Sequence, residues 1–190
     1  MDPTASVQGL ELERFREFLS LLARLQLAPR LQGKVDLSGV VQQTLLEIHQ
    51  TFDRFEAWDE AQKAAWLRKI LAHNLTDEVR KRTAAARDVG RERSLEAALG
   101  QSSARLEAWL AAHQSSASGR AERHEELLRL ATALAALPED QRTAVELHHL
   151  EGYSVVEVGH RMGRSAGSVA GLLHRGLKAL RGRLGDSQGP

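Results

Sequence analysis

Three features of the sequence predict an all-α fold. Leu, Ala, Arg, Glu and Gln dominate the 190 residues, and these residue types favour helices. Apolar residues recur at helical spacing in several segments, whereas no segment shows the alternating pattern of a half-buried strand. Only 4 prolines occur, so few positions oppose helix formation.

The N-terminal half contains three segments with helical periodicity, at residues 12–25, 40–52 and 66–79. The first stops before the Ala28-Pro29 pair, because the residue before a proline disfavours the helical conformation. The second begins after Asp36 and Ser38, and either side chain can serve as its N-cap.

The middle of the chain differs in composition. Apolar residues become sparse after Thr83, and residues 115–119 read Ser-Ser-Ala-Ser-Gly, which is typical of a flexible tether. Helical periodicity resumes at Leu127. We therefore predict two helical domains, residues 10–82 and 125–185, joined by a partly helical linker over residues 83–124.

Charge is balanced overall but segregated along the chain. The 26 basic and 25 acidic residues nearly cancel, so total charge does not indicate nucleic-acid binding. Residues 36–60 are mainly acidic, whereas residues 68–93 carry 8 bases against 4 acids and residues 159–185 carry 6 bases and no acid. Two basic stripes in separate domains predict contact with a polyanion at two places.

The second stripe coincides with a helix-turn-helix pattern. A turn at Gly152-Tyr153-Ser154 caps a helix that Gly163 ends, and Ser165 caps a second helix. The early residues of such a helix meet base edges, and we expect the later Arg175 and Lys178 to meet phosphates. The pattern gives these candidates for DNA contact: Arg164, Ser165, Ala166, Ser168, His174, Arg175 and Lys178.

The same segment resembles region 4 of extracytoplasmic-function (ECF) sigma factors, which belong to the sigma-70 superfamily of initiation subunits of bacterial RNA polymerase. The resemblance extends over residues 137–158 and 165–181, including Leu137-Pro138-Glu139-Asp140-Gln141-Arg142 and Leu172-Leu173-His174-Arg175-Gly176-Leu177-Lys178. The family often has Lys or Arg at the positions of Ala170 and Leu172, and Leu172 is a candidate for contact with a thymine methyl group.

The N-terminal half resembles region 2 of the same family. Residues 36–44 resemble the helix that docks on the polymerase β′ clamp, and residues 66–70 with 77–80 resemble the segment that reads and melts the −10 element. The docking candidates are Asp36, Val40, Val41, Gln42, Gln43 and Leu45. The candidates for the −10 strand are Arg54, Trp58, Arg68, Lys69, His73, Asn74, Arg80 and Lys81.

The resemblance implies that residues 10–82 are region 2 and residues 125–185 are region 4. It implies binding to core RNA polymerase through the β′ clamp and β flap, recognition of −10 and −35 promoter elements, and DNA melting. The linker resembles the segment that enters the active-site cleft, although an inert tether is the alternative. An anti-sigma factor is a further partner of the family, and the sequence identifies none.

Enzymatic functions find little support in the sequence. The absence of cysteine excludes disulfides, Cys-ligated zinc, iron–sulfur clusters and thiol nucleophiles. Two Glu-x-x-His pairs, Glu146 with His149 and Glu157 with His160, are the unit of a two-metal bundle, but such sites need longer facing helices and two further glutamates. We assign no catalytic residue, metal or cofactor.

The sequence also bears on localisation and on a second class of function. Neither a secretory signal nor a membrane-spanning apolar run is visible, so we expect a cytoplasmic protein without membrane contact. The alternative function is a helix-turn-helix regulator that binds DNA without polymerase, usually as a dimer. The docking segment at residues 36–44 argues against this alternative.

Overall fold

The computed structural model describes residues 3–26, 35–51, 55, 57–83, 89–113 and 120–185. These residues form helices and contain no strand, which confirms the all-α prediction. The α-helices in the described part are α1 (Pro3–Gln26), α2 (Leu37–Gln50), α3 (Glu60–Thr83), α4 (Val89–His113), α5 (Arg120–Ala135), α6 (Glu139–Val145), α7 (Val155–Met162) and α8 (Ala166–Gly185). A π-helical turn, Glu146–Leu150, follows α6.

The chain divides into two compact units, which we call unit 1 (Met1–Ala104) and unit 2 (Arg105–Pro190). The boundary lies inside α4, and therefore inside the residues that the sequence assigns to a linker. No helix in the described ranges is both long and apolar enough to cross a membrane.

Unit 1 is built on α2, which packs against both α1 and α3. Leu22 of α1, Ile48 of α2 and Leu71 of α3 are fully buried, as their helical spacing predicts. The side chain of Asp36 accepts a hydrogen bond from Gly39 N at 2.9 Å. Asp36, rather than Ser38, is therefore the N-cap of α2.

The first part of α4 contacts α1 within unit 1. Gln26 Nε2 donates to Ser102 Oγ at 2.6 Å and to the Ala98 carbonyl at 3.3 Å, and Leu99 is fully buried. These contacts extend the fold of unit 1 beyond residue 82.

Unit 2 is built on α8, which packs against α5, α6 and α7. A Cβ atom placed on Gly176 would lie 3.0 Å from Val145 Cγ2, so this glycine allows α8 and α6 to approach closely. The last part of α4 belongs to the same unit. Arg105 Nη1 donates to the Leu150 carbonyl at 3.3 Å, and the Trp109 ring lies 6.4 Å from the His149 ring.

Candidate nucleic-acid interface

A capping box fixes the start of α7 in the helix-turn-helix. Ser154 N donates to Glu157 Oε2 at 2.8 Å, and Glu157 N donates back to Ser154 Oγ at 3.3 Å. Ser154 Oγ also donates to Glu157 Oε2 at 2.7 Å. These hydrogen bonds to the carboxylate lower the pKa of Glu157 below its ordinary value. The sequence predicts a cap within the Gly152-Tyr153-Ser154 turn, and Ser154 is the N-cap.

Two glycines shape the turn between α7 and α8. Gly163 ends α7 with a φ of 64°, the left-handed conformation that glycine adopts without steric cost, and this confirms the predicted break. Arg164 N donates to the Gly159 carbonyl at 2.9 Å. A Cβ atom on Gly159 would lie 2.7 Å from the Arg164 carbonyl oxygen, so the turn requires glycine at this position.

The turn presents the N-terminus of α8. Ser168 N donates to Ser165 Oγ at 3.2 Å, which confirms Ser165 as the cap. The guanidinium of Arg164 pairs with the carboxylate of Asp140 in α6, so this predicted DNA contact also anchors the turn.

The outer face of α8 is accessible. The seven predicted DNA contacts, Arg164, Ser165, Ala166, Ser168, His174, Arg175 and Lys178, are all exposed. The expectation for Leu172 is wrong, because this side chain is only 7% exposed and belongs to the core. Because α8 packs against α5, α6 and α7, its buried apolar stripe is wider than that of a helix that packs against one neighbour.

Sequence reasoning did not assign a role to Arg161 of α7. Its Cζ atom lies 3.8 Å from the centroid of the Tyr153 ring, which is a cation–π contact. Both residues belong to the helix-turn-helix segment, and Arg161 is exposed beside Glu151, whose pKa is raised by burial. One feature of the sequence indicated that Arg161 could matter: it is the first base of the acid-free run at residues 159–185.

The glutamates of the two Glu-x-x-His pairs have structural roles in unit 2. Glu157 is held in the capping box, and Glu146 is buried in the π-helical turn. The adjacent His148, which belongs to neither pair, donates through Nδ1 to the Tyr153 carbonyl at 2.6 Å. Within the described ranges, no three potential ligand side chains are arranged to hold a metal ion.

In unit 1, an aromatic cluster includes Trp58, which was predicted to contact the −10 strand. The Trp58 ring centroid lies 5.5 Å from that of Trp66 and 6.3 Å from that of Phe55. Phe55 is buried, whereas both tryptophans are half-buried. Trp58 therefore packs in a cluster and keeps part of its surface accessible. Arg54 lies outside the described residues.

The remaining −10 candidates on α3 differ in their surroundings. Lys69 is exposed and Arg68 is half-buried. Arg80 Nη1 lies 2.6 Å from Asp77 Oδ1, and Lys81 Nζ lies 3.7 Å from Glu78 Oε2, so both cations are partly neutralised by neighbours on the same helix.

A groove of about 510 Å³ lies between α2 and α3 and joins the two sets of candidates. His73, Asn74 and Lys81, which were predicted to contact the −10 strand, line it together with the docking candidates Asp36, Val40 and Gln43. Its other lining residues are Gly39, Glu47, Asp77 and Glu78. Four carboxylates against one lysine and one histidine give the lining a net negative charge, even though Asp77 also pairs with Arg80 of α3, and we call it the acidic groove.

The docking candidates on α2 separate by burial. Asp36, Gln42 and Gln43 are exposed, whereas the side chains of Val40, Val41 and Leu45 are buried in the core of unit 1. The three buried residues therefore offer a partner very little side-chain surface, and of the three only Val40 lines the groove. Among the described residues, Leu46 is the exposed large apolar side chain of α2, at 46%, and sequence reasoning did not select it.

Comparisons with known proteins identify the family of the chain. The family described as sigma-70, region 4, matches residues 127–180. The ECF RNA polymerase sigma factor SigF of Caulobacter vibrioides is 32% identical over 180 residues, which cover 92% of this chain and 88% of SigF. The chain belongs to the ECF sigma factor family.

Two solved structures are also similar to this ECF sigma factor. One is CnrH in complex with the cytosolic domain of CnrY, with 22% identity, a TM-score of 0.34, and coverage of 97% of this chain and 91% of CnrH. The other is the sigma factor RpoE of Bartonella quintana in complex with the anti-sigma factor NepR. It has 19% identity, a TM-score of 0.34, and coverage of 93% and 95%.

The match to region 4 includes the whole helix-turn-helix of this ECF sigma factor except the end of α8. Residues 127–180 contain α7, the glycine turn and α8 as far as Leu180. All seven predicted DNA contacts of unit 2 lie inside this matched segment.

Proposed function

We propose that this ECF sigma factor binds core RNA polymerase, directs it to promoters and promotes melting of the −10 element. In this proposal, residues 10–82 act as region 2, residues 125–185 act as region 4, and residues 83–124 connect them. The observation that carries the proposal is the exposed outer face of α8. It combines His174, Arg175 and Lys178 with small residues, behind a turn that two glycines hold.

Recognition of a −35 element is supported by the geometry of unit 2. A recognition helix reads base edges with its N-terminal residues, and that end of α8 carries Ala166, Ser168 and Ala170, all exposed. Lys178 and Arg181 lie farther along the helix and are exposed. These later cations suit phosphate contacts, which supply salt-dependent affinity.

Recognition of the −10 strand is supported by Arg68, Lys69 and the cluster around Trp58. Unpaired bases stack on aromatic side chains, and cations hold the phosphates of the strand. The negative charge of the acidic groove does not suit the phosphates of this strand. We therefore leave His73, Asn74 and Lys81, which line the groove, out of the proposed −10 surface. The proposed −10 surface therefore contains fewer residues than the sequence predicts.

Docking on the β′ clamp is supported by the exposed face of α2. Gln42, Gln43 and Leu46 form a neutral to apolar surface, and the acidic groove adjoins it through Gln43 and Glu47. Such a surface suits a partner segment with apolar and basic residues. Val40, Val41 and Leu45 support the surface from the core. Action in the cytoplasm and regulation by an anti-sigma factor are predictions from the family.

The decisive experiment measures polymerase binding and promoter opening separately. Full-length protein is mixed with a bacterial core RNA polymerase, and binding is measured without DNA. Open complexes are then detected by permanganate reactivity of unpaired thymines. We expect weak promoter binding by the protein alone and salt-sensitive open complexes with core polymerase. The Arg175→Glu/Lys178→Glu variant is the control, which should bind core polymerase and fail to open promoters.

A different combination of results would favour the alternative function, a regulator that binds DNA without polymerase. Nanomolar binding to a palindromic site without polymerase, together with no core binding, would indicate a helix-turn-helix regulator.

A further inference from the structure

The guanidinium of Arg175 lies beside Gly171 on α8. A Cβ atom placed on Gly171 would lie 3.4 Å from Arg175 Nη1 and 3.9 Å from both Cζ and Nη2. The guanidinium therefore extends across the bare backbone of Gly171, one turn before Arg175. This direction agrees with the general tilt of helical side chains toward the N-terminus.

The surface around this guanidinium is smooth. Ala166, Gly167, Ser168 and Ala170 are exposed, and none has a side chain longer than a hydroxymethyl group. A Cβ atom on Gly167 would have no neighbour within 4 Å, so this side of the helix is open. Bases in a major groove can therefore approach the helix backbone closely, and Arg175 brings a long donor group to that turn.

Arg175 also differs from two nearby arginines in its partners. The Arg164 guanidinium pairs with Asp140, and the Arg161 guanidinium lies on the Tyr153 ring. Within the described residues, Arg175 has no hydrogen bond or ion pair. A guanidinium with available donors makes bidentate hydrogen bonds to O6 and N7 of guanine, the commonest specific contact in the major groove.

We propose that Gly171 is a positioning residue that directs Arg175 to read a guanine in the −35 element. This assignment replaces the phosphate contact that the sequence predicts for Arg175, and leaves that role to Lys178. It rests on the proposed function of α8 as the promoter-reading helix. A side chain longer than a methyl group at position 171 would occupy the space of the guanidinium and move it away from the bases.

The test measures base preference at each position of a randomised −35 element. The full chain is assayed on this duplex library alone, and in transcription with core polymerase. Arg175→Lys keeps the charge and loses the bidentate geometry. Gly171→Leu and Gly171→Met fill the space, whereas Gly171→Ala adds only a methyl group in ordinary van der Waals contact and is the matched control.

We expect the wild type and Gly171→Ala to prefer guanine at one position. Arg175→Lys, Gly171→Leu and Gly171→Met should lose about tenfold of that preference at the same position, and keep their preferences elsewhere. Combining Gly171→Leu with Arg175→Lys should cause no further loss, because both act through one contact. The NMR signals of Tyr153, the only tyrosine, show that unit 2 is folded in each variant.

Two results would overturn the inference. Arg175→Lys could leave every base preference unchanged, which would make Arg175 a phosphate contact. Alternatively, both larger side chains at position 171 could preserve the guanine preference in a folded unit 2, which would deny Gly171 its positioning role. The binding assay without polymerase separates these results from a failure of the proposed function, which would appear as absent core binding and absent transcription.

Discussion

Asn74 Nδ2 donates a hydrogen bond to Thr44 Oγ1 at 3.2 Å, across the contact between α3 and α2. Thr44 is fully buried, and its hydroxyl donates in turn to the Val40 carbonyl at 2.8 Å. This short chain of hydrogen bonds connects a residue predicted to touch DNA with the helix predicted to touch polymerase. It indicates that Asn74 stabilises the floor of the acidic groove.

Asn74→Ala should therefore destabilise unit 1. The variant removes the hydrogen bond to Thr44 and leaves a small cavity, which should cost about 1–2 kcal/mol. Denaturant unfolding is followed by tryptophan fluorescence in a Trp109→Phe background, because the remaining Trp58 and Trp66 both lie in unit 1.

His73→Ala is the neighbouring control for Asn74. The His73 side chain is 45% exposed, so its removal should change the free energy of unfolding by less than about 0.5 kcal/mol. An Asn74→Ala protein with unchanged stability and a selective loss of −10 melting would contradict the structural role and restore the DNA contact.

Gly159→Ala should destabilise the helix-turn-helix. The added Cβ atom would lie 2.7 Å from the Arg164 carbonyl oxygen, a backbone atom that cannot move without opening the turn. Overpacking of this kind costs about 1–3 kcal/mol. Thermal unfolding of unit 2, followed through the Tyr153 NMR signals, measures the change.

Gly182→Ala provides the matched substitution in α8. A Cβ atom on Gly182 would have no neighbour within 4 Å, and alanine favours helix over glycine by up to about 1 kcal/mol. The two variants should shift the unfolding temperature in opposite directions. Equal effects would show that the turn has room for a side chain at position 159.

Local signals in the sequence were sufficient for the helices and for the caps of the helix-turn-helix, whereas Asp36 and Ser38 stayed alternatives for the cap of α2. Ser154, Gly163 and Ser165 act on residues three or four positions away, so their roles can be predicted without knowledge of the fold. The same locality explains why the periodic segments of unit 1 coincide with α1, α2 and α3.

Tertiary contacts decide the features that the sequence did not show. Leu172 is buried because α8 contacts several helices, and the acidic groove exists because residues of α2 meet residues of α3. The apolar pattern of one helix predicts neither the burial of Leu172 nor the acidic groove. The placement of Arg175 over Gly171 depends on side-chain direction, which residue spacing does not specify.

Glu157 should make part of the stability of unit 2 dependent on pH. Its hydrogen bonds from Ser154 lower the pKa of the carboxyl in the folded state. Its stabilising contribution is therefore complete above the unfolded pKa of about 4.3, and is lost as pH falls through the lower folded pKa. The unfolding temperature of the wild type should fall more steeply than that of Glu157→Gln below about pH 5.

Ser154→Ala tests the cause of this pH dependence. Loss of the N-cap should cost about 1 kcal/mol at neutral pH and return the pKa of Glu157 toward its ordinary value. In the Ser154→Ala background, Glu157→Gln should change the slope of unfolding temperature against pH less than it does in the wild type, because the backbone N–H of residue 154 can still donate to the carboxylate. A difference in slope as large as in the wild type would show that the Ser154 hydroxyl does not lower the pKa of Glu157.

Charge at position 43 should control docking on core polymerase. Gln43 is exposed, lines the acidic groove, and donates to Glu47 Oε1 at 3.0 Å. A lysine there would pair with Glu47 and neutralise one carboxylate of the groove, whereas a glutamate would add one. Gln43→Lys should raise the Kd for core polymerase about tenfold, and Gln43→Glu should leave it equal or lower.

The salt dependence of these Kd values distinguishes an electrostatic contact from a change in the fold. The difference between Gln43→Lys and Gln43→Glu should shrink as ionic strength rises from 0.01 M to about 1 M, because screening becomes strong over that range. Leu46→Ala should weaken binding at every salt concentration, since an exposed leucine contributes apolar contact. Helicity should be unchanged in all three variants, and an identical Kd for the lysine and glutamate variants at low salt would place the polymerase contact away from this groove.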